Sequence, residues 1–192
     1  MVEHRHFLLY KPDGYLSQFV SQQTKRKNKK MLGELFVFPE GIMAIGRLDE
    51  PSEGLLLLTT DGKMSEFVRG NKVEKEYYAQ VDGIIDSEAV EKLGSGVEIT
   101  TETGKYLTLP CPVQLLNGEP PLSPRKKNIR NERHGPTSWV SITLSEGKYR
   151  QVRKMTAAVG FPTLRLVRVR IGNISLGEMK PGDVIEVAAF DV

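Results

Sequence analysis

Hydrophobic and polar positions divide the 192 residues into short apolar runs separated by turns. HFLLY, residues 6–10, predicts a short buried strand, and KPDG after it predicts a turn, because Pro12 fixes φ and Gly14 tolerates positive φ. SQQTKRKNKK, 21–30, has no apolar period and predicts an exposed loop, with a helix around Met31–Phe36 beyond it. The longest aliphatic run, Leu55–Leu58, lies in a predicted strand over 54–60. Asp61-Gly62 then turns the chain or caps a short helix on which Met64, Phe67 and Val68 recur at helical spacing. EYYAQVDG, 76–83, alternates as a strand does.

Ser87 followed by EAVEKL predicts a capped helix stopped by Gly94, and strands are expected at 97–101, 106–109 and 112–116. Residues 117–137 are rich in Pro, Gly and charge, and a loop of that length inside a domain usually binds something or is disordered. WVSITL, 139–144, alternates again. In 149–159, Val152, Met155, Thr156 and Val159 share one helical face while Arg150, Arg153 and Lys154 point elsewhere, and Gly160 ends the helix. LRLVRVR, 164–170, is a strand whose apolar phase slips near Val167, which predicts a bulge or strong twist, and a last strand is expected at 184–188. No segment repeats. Many strands and few short helices argue for a mixed α+β sheet, not a regular βαβ wind, in a single domain or two tightly joined lobes spanning 1–192.

Composition removes several function classes. No apolar stretch is of membrane length, and MVEHRHFLLYKPDG lacks the long apolar segment and cleavage site of a secretion signal, so a cytoplasmic location is expected. One cysteine, Cys111, forms no internal disulfide, and His4, His6 and His134 complete no recognised zinc spacing with it. No metal or cofactor is expected; only carboxylates alone could hold an ion. The net charge of +3 changes meaning once located. Of the 27 Lys and Arg, seven fall in 148–170, a stretch without Asp or Glu, leaving 20 against 24 acidic residues elsewhere. A field concentrated in this way attracts polyanions, of which nucleic acid is the commonest in the cytosol, although a solvated basic face with no partner gives the same count.

Candidate chemistry narrows to one acid. Gly94-Ser-Gly96 lacks the strand, third glycine and helix of a phosphate loop, and no serine has a nucleophile-elbow context. Asp49 stands two residues after Arg47 and just before the leucine run. Apolar surroundings would push a carboxyl towards its neutral form, and a nearby guanidinium would favour the nucleophilic anion. Taken alone, Arg-Leu-Asp equally describes a structural turn. A glycosidase would need a second carboxylate roughly 5–10 Å away, and Glu50, Glu53 and Asp61 are only formal candidates for it.

The longer stretch says more. GRLDEPSEGLLLLTTDG, 46–62, resembles the active-site motif of ribosomal pseudouridine synthases of the Rsu/Rlu type. KEYYAQVDG, 75–83, and EGKYRQVRKM, 146–155, resemble two further motifs of that family in the expected order, and LYKPDG at 9–14 and GFPTLRLVRVRIG at 160–172 extend the likeness over nearly the whole chain. LYKPDG starts too near Met1 to leave room for the S4-type RNA-binding domain that many members carry, so none is expected; this short form, with PTSWVSITL at 136–144 and GFPTLRL at 160–166, most resembles the E-type branch that acts on the large ribosomal subunit.

The resemblance implies a mixed, largely antiparallel sheet flanked by short helices and loops, as two lobes around a central cleft. It implies a cofactor-free isomerase that converts uridine to pseudouridine in ribosomal RNA, most closely that of the large subunit, by flipping the base out of its helix. Asp49 would be the essential carboxylate. Whether it attacks ribose, adds to uracil or removes a ribose proton stays open. Tyr77 would stack on the uracil, with Tyr78 sent by alternation into the core; Val152 would wall the base pocket, Arg153 would pair with Asp49, and Arg47 would serve RNA phosphate or fill the vacated stack. Arg165 and Arg168 near the cleft, with Lys25, Arg26, Lys27, Arg125, Lys126, Lys127 and Arg130 in the two loops, are the expected RNA contacts. The rivals are a non-catalytic RNA-binding or ribosome-assembly protein and a base-releasing glycosidase.

Overall fold

Leu55, Leu56, Leu57 and Leu58 all lie out of contact with solvent. A strand sends successive side chains to opposite faces, so a run that is apolar at every position needs cover on both sides. Full burial of each leucine contributes about 1.5–3 kcal/mol, enough to fix where this strand must lie.

The computed structural model describes residues 4–19, 29–125, 129 and 132–192. They form two compact units, the first made of residues up to Val73 with Val167–Val192, the second of Glu74–Leu166. In chain order the first holds β1 (His6–Lys11), β2 (Tyr15–Leu16), β3 (Lys30–Met31), a 3-10 turn at Leu32–Glu34, β4 (Met43–Ala44), β5 (Glu53–Thr59) and α1 (Gly62–Arg69). The second holds β6 (Lys75–Asp82), α2 (Ser87–Ser95), β7 (Glu98–Thr101), β8 (Gly104–Leu107), β9 (Val113–Leu116), a 3-10 turn at Glu132–His134, β10 (Thr137–Leu144) and α3 (Gln151–Ala158). Then β11 (Thr163–Ile171) begins in the second unit and ends in the first, where β12 (Ile174–Ser175) and β13 (Val184–Val187) complete the chain.

In the first unit β1 lies antiparallel between β13 and β5, with Leu9 opposite Leu56, while β5 runs parallel to the second half of β11. One face of this sheet closes over Phe7, Leu9, Leu32, Leu56 and Leu58, against which Phe19 and Phe38 pack, their rings meeting edge to face at 5.2 Å. The strand expected at 54–60 is β5, and Asp61 caps α1 by accepting the Lys63 N–H at 2.9 Å. Within the second unit β10 lies antiparallel between β6 and β9, placing Tyr77 opposite Ile142 and Tyr78 opposite Ser141. Ala89 and Leu93 from α2 and Val152 and Met155 from α3 complete its core with Val81, Val140 and Ile142.

The mixed α+β architecture expected from the strand and helix pattern is present, with the largely antiparallel sheet that the resemblance implies; several local details differ. Asp86, not Ser87, caps α2, accepting the Ala89 N–H at 2.8 Å. Gly94 stays inside the helix, which stops at Gly96, where φ is +100° and a Cβ would stand 2.4 Å from the Thr108 carbonyl oxygen. The helix expected at 31–36 is a single 3-10 turn. The slip of apolar phase near Val167 reflects burial of four consecutive residues, Arg165–Arg168, at the point where β11 leaves one unit for the other. Among the described residues no helix is long and apolar enough to cross a membrane.

Candidate active site

Asp49 belongs to a stretch, 47–49, that is neither strand nor helix, so its backbone groups must find partners outside a ladder. They do. Leu48, buried, donates its N–H to Ser17 Oγ at 2.9 Å, and the same hydroxyl donates to the Leu48 carbonyl at 2.8 Å. Beyond Asp49 the chain closes a turn in which the Ser52 N–H donates to the Asp49 carbonyl at 2.9 Å. The Gly14 N–H donates to the Glu50 carbonyl at 2.9 Å, which ties the turn to the KPDG segment. Asp49 itself is half-buried and Arg47 is exposed.

Lys11, at the end of β1, is fully buried. Its ammonium donates to three carbonyls, those of Pro12 at 2.9 Å, Glu50 at 3.2 Å and Ser52 at 2.7 Å. Burial pushes its pKa down to about 8, against the opposing pull of Asp13, Glu53, Glu50 and Asp49. The turn that follows Asp49 is thus wrapped around a cation that came from the first strand. Arg168 is also interior: it is 5% exposed and donates from Nε to the Leu55 carbonyl at 2.7 Å.

The second unit holds the other residues singled out by the sequence. Val152 is buried in its core, and Tyr77 packs partly against the same cluster. Tyr78, expected in the core, is half-buried on the other side of β6, where burial and Glu76 raise the pKa of its hydroxyl. Arg153 is half-buried on α3 and donates from Nη1 to the Thr163 carbonyl at 3.3 Å. The segment leading into α3 is braced by Glu146, a buried carboxylate that accepts from Tyr106 Oη, from the Leu109 N–H at 2.9 Å and from Gln151 Nε2 at 2.7 Å. Burial pushes the Glu146 carboxyl up, but these donors and Lys148 together bring it below the usual carboxylate range. Gln151 Oε1 accepts the Lys148 N–H at 2.9 Å, and Arg150 reaches φ +54°, so the chain turns sharply before the helix begins.

Arg165 and Arg168, expected near the cleft as RNA contacts, are both buried. Arg165 is 3% exposed and donates from Nη2 to the Ser123 carbonyl at 2.8 Å. Each guanidinium donates to one backbone carbonyl, and a planar fork with several donors suits such bracing as well as it suits phosphate. Arg125 is half-buried. Lys25, Arg26, Lys27, Lys126, Lys127 and Arg130 lie outside the described residues. Sequence reading missed Lys11, Ser17, Glu146 and Gln151. For Lys11 a signal existed, since a lysine continuing an otherwise buried strand must find several acceptors; for Ser17 there was none.

Residues 5–158 match the family described as RNA pseudouridylate synthase, and they include Asp49, Tyr77, Val152 and Arg153. The chain belongs to the RNA pseudouridylate synthase family. It is 43% identical over 177 residues to ribosomal large subunit pseudouridine synthase E of Xanthomonas campestris pv. campestris, covering 91% of each chain. It is 38% identical over 190 residues to the enzyme of the same name from Vibrio vulnificus, covering 98% of this chain and 77% of that one. A crystal structure of a pseudouridylate synthase superposes with a TM-score of 0.77 at 25% identity, covering 97% of this chain and 71% of the other. As a pseudouridine synthase the protein is an isomerase, and the family expected from its three motifs is the family found.

Proposed function

We propose that this synthase isomerises a uridine of large-subunit ribosomal RNA, in the cytoplasm, with Asp49 as its essential carboxylate. The identity to two E-type pseudouridine synthases of the ribosomal large subunit, over more than nine-tenths of the chain, carries the substrate assignment. Fixation of the backbone on both sides of Asp49 supports the choice of that residue, because a reacting group must be held close to its productive geometry. The reaction breaks the N-glycosidic bond of the target uridine, turns the uracil and joins its C5 to the ribose. No atom is gained or lost overall, so the residues need supply only positioning, charge and proton handling. The target base must leave its stack, at about a few kcal/mol.

The remaining roles follow the family resemblance. Tyr77 stacks on the everted uracil, Val152 forms an apolar wall, Arg153 is the countercharge of the carboxylate, and Arg47, exposed, meets RNA phosphate or fills the vacated stack. Lys25, Arg26, Lys27, Arg125, Lys126, Lys127 and Arg130 contribute phosphate contacts. Arg165 and Arg168, interior in the free protein, brace the strand that carries them. The whole chain acts as one catalytic domain. Mapping pseudouridines in ribosomal RNA from cells lacking the gene, and from such cells given the parent or the Asp49→Asn protein, tests the proposal. A large-subunit position should lose its modification and regain it only with the parent. An unchanged map would overturn the substrate, and restoration by Asp49→Asn would overturn the residue.

A further inference from the structure

A serine hydroxyl carries one proton and two lone pairs, so it can donate and accept at once. Ser17 spends both functions on one residue, Leu48, immediately before Asp49. Ser17 is itself held firmly. It directly follows β2, which pairs with β3 through Tyr15 opposite Lys30 and Leu16 opposite Met31, and the next residue, Gln18, accepts the Leu32 N–H at 2.9 Å. On the far side of Asp49, Lys11 and Gly14 from the same 11–17 segment hold the carbonyls of Glu50 and Ser52. The acid therefore sits between two clamps supplied by one strand-turn-strand segment.

We propose that Ser17 is a positioning residue for the isomerisation, fixing the backbone of Leu48 so that the Asp49 carboxylate is presented at a set height and direction, with Lys11 clamping the following turn. Ser17 is buried and its hydroxyl is consumed by Leu48, so it acts on the reaction through Asp49 alone. Without the hydroxyl, the buried N–H and carbonyl of Leu48 would have to find other partners, and the peptide would rotate to reach them. A shift of about 1 Å in a reacting group can cost on the order of a hundredfold in rate. The inference rests on Asp49 being the reactive carboxylate.

Threonine and valine have the same shape and differ by the hydroxyl, so the test compares Ser17→Thr, Ser17→Val and Ser17→Ala with the parent and Asp49→Asn. For each protein, the single-turnover rate on ribosomal RNA tritiated at uridine C5, the Kd for that RNA and the thermal midpoint are measured. Ser17→Thr should keep at least a third of the parent rate. Ser17→Val or Ser17→Ala, folded at the assay temperature, should lose on the order of thirtyfold or more with Kd within threefold. A folded variant without the hydroxyl that turns over at the parent rate overturns the inference. So does loss of rate that occurs only together with loss of the folded state, or equal loss by threonine and valine. If Asp49→Asn is itself fully active, the reading of Asp49 has failed, and that outcome is seen independently of the Ser17 variants.

Discussion

At the scale of single residues, a charge buried for a structural reason must show itself in the pH dependence of stability. Lys11 is that charge. Its folded-state pKa, about 8, lies below its ordinary 10.5, because burial outweighs the attraction of Asp13, Glu53, Glu50 and Asp49. Between those values the unfolded chain binds more protons than the folded one, so the contribution of Lys11 to stability rises with pH over that window. Below about pH 8 its desolvation cost is present in full. Urea unfolding of the parent and of Lys11→Met at pH 7.5 and pH 10.5 should show the parent gaining on the variant as pH rises, by up to about 3 kcal/mol. A constant or shrinking difference would mean that the ammonium is not desolvated as described. Asp49, the acid proposed as essential, was legible in the sequence because a long, specific motif surrounds it. The residues that hold its backbone were less so: Lys11 continues an apolar strand and so had to find acceptors, but Ser17 bonds only backbone groups of Leu48, which leave no mark in the sequence.

Among the elements, those with an unambiguous apolar period were legible: β5 from its four leucines, α1 from its Asp61 cap, α3 from Val152, Met155 and Thr156. Two-residue strands such as β2, β3 and β12 were not, because two residues cannot display a period and are defined by what they pair with. At the start of α2, Asp86 and Ser87 are both good capping residues, and only the bond to the Ala89 N–H distinguishes them. The join between β5 and β11 makes a sharp demand on one position. Gly54 has φ +104°, and a Cβ there would stand 2.2 Å from the carbonyl oxygen and 2.7 Å from the nitrogen of Arg168. These are backbone atoms of the neighbouring strand, so the clash cannot be relieved by a rotamer change. Gly54→Ala should cost about 3 kcal/mol or more in urea unfolding, and a variant within about 0.5 kcal/mol of the parent would show that the two strands do not approach this closely.

For the whole molecule, the concentration of positive charge in 148–170 pointed to a polyanion, and the family is one that acts on RNA. The count alone overstated the outward field, because two of the seven cations, Arg165 and Arg168, are turned inward onto carbonyls, which no charge tally reveals. Under the proposed reading, more of the phosphate binding then falls to the loops. Replacing Arg125, Lys126 and Lys127 together by alanine should lower the slope of log Kd against log salt by about 2, at about 0.7–0.9 for each phosphate no longer neutralised; an unchanged slope would take that loop out of the interface. The chemistry itself is read most directly by tritium release from large-subunit RNA labelled at uridine C5, with a parallel assay for free uracil, using the parent and Asp49→Asn proteins. The parent should release tritium and no free base, and Asp49→Asn should fall by at least a thousandfold while binding RNA within threefold of the parent. Tritium release retained by Asp49→Asn, or free uracil from the parent, would contradict the assignment of this acid to this isomerisation.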